Sequence, residues 1–113
     1  MKHILERQDK MSFITNIKLY GNTVSIYRSK SGKTMHVLND KIADGISRIR
    51  TVVYDSTDNP IKCNDIKRFN GKVLFHDVYT KTSVGSTMLK RRNQTAQDLP
   101  HLKFSHLVEI FFK

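Results

Sequence analysis

Cysteine is nearly missing from this chain. The single Cys63 has no partner for an internal disulfide, which excludes a cystine-stapled scaffold and any zinc site built on cysteine pairs. A reducing compartment fits such a sequence. Long apolar runs are missing too: none approaches the roughly 20 residues that a helix needs to cross a bilayer. Residues 1–10 offer only Ile4 and Leu5 as consecutive apolar residues before Glu6, too few for the apolar region of a signal peptide. The expectation is a soluble, cytoplasmic protein with no membrane contact. Negative charge is the third scarcity. No Asp or Glu lies between Asp9 and Asp40, and none between Asp77 and Asp98.

What is present is positive charge. Lys and Arg number 20 against 10 for Asp and Glu, a formal net charge of +10 on 113 residues. Self-repulsion on so small a body is normally retained where an anionic partner offsets it. The length suits one domain with a single core. An apolar share of 38% predicts that this core is modest, and ten aromatic residues argue against a disordered chain.

Period-two patterning dominates the first half. Phe13, Thr15, Ile17 and Leu19 alternate with Ile14, Asn16, Lys18 and Tyr20, and Gly21-Asn22 then reads as a type II′ hairpin turn before a second strand over Thr23 to Arg28. The loop Ser29 to Lys33 returns the chain into Thr34 to Leu38, completing a three-stranded meander. Asn39 or Asp40 could cap a brief helix over Lys41 to Ser47, weakened by Gly45. Ile49 to Tyr54 predicts a fourth strand, and Asp55 to Pro60 a loop. Ile61 to Phe69 fits no single period. Asn70-Gly71 is a turn signal ahead of a fifth strand over Lys72 to Tyr79. Met88, Leu89, Ala96 and Leu99 stand at roughly helical intervals before Pro100, which predicts a helix between Thr87 and Leu99. The tail satisfies two periods at once. Leu102, Phe104, Val108, Ile110 and Phe112 alternate like a strand, the reading preferred here, while Phe104, Leu107, Val108 and Phe111 form a helical stripe.

The predicted fold class is therefore α+β: a small antiparallel β-sheet or partly open barrel of about five strands with one or two short helices. It makes a single basic domain over residues 1–113, with residues 1–10 as a flexible or helical N-terminal arm.

The cations set the functional expectation. Lys18, Arg28, Lys30 and Lys33 lie in the first acid-free stretch, and Lys81, Lys90, Arg91 and Arg92 in the second, the last three on the predicted helix. The segment between them nearly cancels, its five Asp facing four cations. Two such stretches predict one basic side that contacts phosphates of DNA or RNA, positioning the protein without reading sequence. Tyr20 and Tyr27 flank the first turn, within cross-strand reach of each other and close to Lys18 and Arg28. A base can stack on such rings while the cations meet phosphates, although ring packing on the sheet is the commoner role for such a pair.

Other chemistry is less well supported. Gly32-Lys33-Thr34 resembles the end of a phosphate-binding loop, but Tyr27 stands where the earlier glycine is required and a strand follows where a helix should. Among His3, His36, His76, His101 and His106, the best candidate for metal-independent ribonuclease chemistry is His76, whose neighbour Asp77 would point to the opposite face of a strand. Asp55 and Asp58 read as turn-formers rather than magnesium ligands. No metal, cofactor or catalytic residue is expected. The main alternative to nucleic-acid binding is a viral or ribonucleoprotein assembly or inhibitor protein acting by protein contact. The apolar Leu102–Phe112 segment would serve there for a protein partner or for self-association.

Overall fold

The computed structural model describes residues 10–113, so the arm expected over residues 1–10 lies, Lys10 excepted, outside the described residues. Eight strands follow one another: β1 (Met11–Leu19), β2 (Asn22–Ser29), β3 (Thr34–Ala43), β4 (Ile46–Tyr54), β5 (Pro60–Phe69), β6 (Lys72–Lys81), β7 (Ser86–Arg91) and β8 (Gln97–Lys103). A single described helix, α1 (Phe104–Ile110), comes last. Each strand pairs antiparallel with its neighbour in the chain, giving one eight-stranded meander. The expectation of about five strands with one or two helices is thus corrected to a larger sheet with a short C-terminal helix.

Four local readings account for the difference. No helix forms over 41–47, because β3 runs on to Ala43 and β4 begins at Ile46, the reversal being made at Asp44-Gly45. Gly45 has φ +74°, and a Cβ there would lie 2.6 Å from Oδ1 of Asn70, so the position is both left-handed and crowded. The ambiguous 61–69 segment is strand β5, paired along its length with both β4 and β6. The helix predicted between Thr87 and Leu99 is the β7–β8 hairpin. Thr87 and Leu89 are buried on one face, Asn93 takes φ +60° in the turn, and Pro100 sits on edge strand β8, where a missing N–H is tolerated. The first turn also moves by one residue. Tyr20 and Gly21, at φ +52° and +80°, are its central pair, the positive-positive pattern of a type I′ turn, and Asn22 opens β2 opposite Leu19.

A flat sheet is on the order of 10 Å thick. The principal extents here are 37, 36 and 34 Å, so the meander is strongly curled. Its concave face holds the core: Val24 and Ile26 of β2, Leu38 of β3, Val52 of β4 and Cys63 of β5 pack around Phe104, Leu107, Phe111 and Phe112. The tail is helical from Phe104 because its i, i+3, i+4, i+7 stripe puts Phe104, Leu107 and Phe111 on the side that fills the trough, whereas a strand would direct them to opposite faces. The sheet satisfies both ends of this segment. Phe104 N–H donates to Gly85 O at 3.0 Å, Arg50 Nη1 to Phe111 O at 2.8 Å, and Asn22 Nδ2 to Phe112 O at 2.7 Å. The expected C-terminal strand is therefore corrected to a docked helix. Its apolar side chains are largely spent inside the molecule rather than offered to a second copy.

Candidate functional site

Strand register sorts charge between the two faces. On the concave side, opposed residues form a row across four strands, Arg50 to Asp65 to Asp77 to Arg91. Arg50 Nη2 lies 3.4 Å from Asp65 Oδ2, and Arg91 Nε 3.3 Å from Asp77 Oδ1. Both carboxylates are buried, Asp65 at 7% exposure and Asp77 at 4%. One step toward the open end, Asp40 and Arg48 pair at 3.7 Å, and Lys67 extends its ammonium over the Phe75 ring at 5.3 Å.

Alternation sends the intervening residues to the convex side. There β1 presents Asn16 and Lys18, β2 Ser25 and Tyr27, β5 Lys62, Asn64 and Arg68, β6 His76, and β7 Lys90. Asp40, Asp65 and Asp77 all point the other way. Among the described strand residues, the carboxylate on the convex side is Asp98, on edge strand β8 opposite Met88. Only four described cations, Lys41, Arg48, Arg50 and Arg91, form ion pairs with described carboxylates, and three of these pairs involve the concave row or its neighbour.

The residues singled out from sequence are divided by this geometry. Lys18, Tyr27 and Lys90 share the convex face. Lys18 Nζ donates to Thr23 Oγ1 at 2.9 Å, Tyr27 packs edge-to-face against Phe13 at 5.7 Å, and Lys90 Nζ donates to Gln94 O. Tyr20 lies in the β1–β2 turn and is more than half exposed, with Lys113 Nζ 5.1 Å from its ring centre, so it is not on the same surface as Tyr27. Lys30 and Lys33 occupy the β2–β3 turn at the opposite end, close to Arg28 at the end of β2; Lys81 ends β6 at that same edge of the sheet. Arg91 turns inward to Asp77, and Arg92 stands in the β7–β8 turn, so the three consecutive cations straddle the end of the sheet instead of sharing a helix face. Lys62 and Arg68 of the convex face escaped the sequence reading. Their signal was the alternation of 62, 64, 66 and 68 with Cys63, Asp65 and Lys67, which a single apolar residue in each set, Ile66 and Cys63, left too weak to assign.

Cavities among the described residues open on the concave side. One, of about 350 Å³, is lined by Phe75, Asp77, Arg91 and Gln94. Another, of about 210 Å³, is lined by Thr34, His36, Tyr54 and Asp58. Burial lowers the pKa of His36, which the charge of Asp58 partly offsets, and raises that of Tyr54, with Cys63 and Asp58 adding to the rise. Burial likewise pushes the Cys63 thiol up to about 12, so it is a packing group and not a nucleophile. His76 faces outward with Nε2 3.4 Å from Asn64 Oδ1, on the opposite side of β6 from Asp77. Asp55 accepts from the N–H groups of Thr57 and Asn59 and from Thr57 Oγ1, and these bonds hold its carboxyl below the usual range. No group of three or more His, Cys, Asp or Glu able to hold a metal occurs among the described residues. None of their helices is long and apolar enough to cross a membrane.

Comparison with family models, with curated proteins and with solved structures finds no match to this chain.

Proposed function

We propose that the protein binds nucleic acid without catalysis, holding phosphates on the convex face through Lys18, Lys62, Arg68 and Lys90. One observation carries the reading: the register turns the strand carboxylates of β3, β5 and β6 to the concave side, where Asp65 and Asp77 are buried and Asp40 is paired with Arg48, so the convex cations face outward with no acidic neighbour from those strands. Aromatic rings accompany them, Phe13 and Tyr27 on the first hairpin. An electrostatic surface with nearby rings suits backbone contact with sequence-tolerant stacking. A metal or cofactor has no part in this activity.

Fluorescence anisotropy of labelled oligonucleotides across a salt series tests it. Binding should weaken steeply with salt. Changing Lys18, Lys62, Arg68 and Lys90 together to Ala should lower the log–log slope by about 3 on single strands, from roughly 0.7 per phosphate contact. An unchanged slope in the folded quadruple variant, or no binding by the unaltered protein, rejects the proposal.

A further inference from the structure

The cavity at the open end of the concave face has the parts of a nucleobase site. Phe75 and Asp77 are alternate residues of β6 and so project to the same side, with Arg91 opposite Asp77 and Gln94 reaching in from the β7–β8 turn. Phe75 is 36% exposed, enough for its ring to meet a ligand, and Lys67 Nζ lies over that ring at 5.3 Å from its centre. Asp77 Oδ1 is buried and accepts no hydrogen bond, although Arg91 Nε is 3.3 Å away. A buried acceptor without a donor is costly, and a ligand that brings N–H groups relieves that cost.

We infer that this cavity takes a single guanine base from a nucleic-acid strand, an inference that rests on the nucleic-acid reading above. A carboxylate accepts and cannot donate, so it selects the base edge richest in adjacent donors. Guanine presents an N1–H and an N2 amino group side by side. Cytosine and adenine present one amino group beside an acceptor, which the carboxylate repels. At about 350 Å³ the cavity falls in the range of small-ligand sites and has room for a base with its sugar. The route in is the Lys90-Arg91-Arg92 run: Lys90 lies on the convex face, Arg92 in the turn at the rim and Arg91 within the cavity. A strand whose phosphates follow that run over the end of the sheet delivers an unpaired base to Phe75 and Asp77.

The test compares labelled thymine 12-mers with the same strands carrying one central guanine, adenine or cytosine, all at one salt concentration. Guanine should tighten binding roughly tenfold, in keeping with a bidentate contact, and the other two bases should not. Asp77→Asn should erase that preference while keeping the salt-dependent affinity for plain thymine strands. Because Asp77 is buried and ion-paired, circular dichroism must accompany that variant. Gln94→Ala and Phe75→Leu give a second route, since both should reduce the guanine preference at sites that are not fully buried. Equal affinity for all four strands, or a preference that survives in folded Asp77→Asn, Gln94→Ala and Phe75→Leu, overturns the guanine site and leaves the phosphate surface standing. Absence of binding to every strand overturns both.

Discussion

The two ends of the concave face contrast sharply. One is closed by α1, where Phe104, Leu107, Phe111 and Phe112 meet Val24, Ile26, Leu38, Val52 and Cys63. The other is lined by Asp40, Arg48, Lys67, Phe75, Asp77 and Arg91 and remains open. Strands β3 to β6 contribute to both ends, so the difference lies in which residues occupy successive inward positions. β4 steps inward from Val52 to Arg50 to Arg48, β5 from Cys63 to Asp65 to Lys67, and β6 from Tyr79 to Asp77 to Phe75. Stability is concentrated where the steps are apolar, and ligand chemistry becomes available where they are charged. Arg50 marks the boundary: it meets Asp65, the Phe111 carbonyl and, at 4.9 Å, the Phe111 ring.

Substitutions at successive points along this axis should therefore differ in size. Phe104→Ala, at a fully buried ring, should cost about 3–5 kcal/mol in denaturant unfolding and loosen the helix from the trough; a loss under 1 kcal/mol would mean that α1 is not the plug of the closed end. Arg50→Ala, at the boundary, should cost about 2–3 kcal/mol, since it removes hydrogen bonds from a charged donor and strands Asp65. The smallest effect should come from pH at the closed end. Burial keeps the pKa of His36 below that of the unfolded chain, so as pH falls through the ordinary imidazole range the unfolded state takes up the proton first and stability declines. His36→Gln should flatten that part of the stability profile measured by thermal melts between neutral and mildly acidic pH. An identical slope in the variant would place the acid sensitivity elsewhere.

The first strands were legible because alternation is a local property. Residues 13–19 and 23–28 carry it, and Gly21 and Gly71 mark reversals where left-handed backbone is required. Exact register was less legible. Reading Gly21-Asn22 instead of Tyr20-Gly21 as the turn centre shifts the loop by one residue, and Asn22 then has no evident reason to reach Phe112. The β7–β8 hairpin was hidden because Met88, Leu89, Ala96 and Leu99 match a helical spacing in the absence of a glycine at the turn, where Asn93 supplies the left-handed residue. Of the candidate site, the cations were visible as residues but their faces were not. Lys90, Arg91 and Arg92 read as a cluster in the chain, and the sheet distributes them over two faces and a turn.

Sequence by itself determined the excess of positive charge, the lack of an internal disulfide and the first strands with their tight reversals, because each follows from residue identity or from contacts a few positions apart. Tertiary structure alone decided that Phe104–Ile110 is helical and that Asp40, Asp65 and Asp77 turn inward together. The helix forms because the trough of a curled sheet needs filling. The carboxylates share a face because pairing eight strands in one register couples positions far apart in the chain.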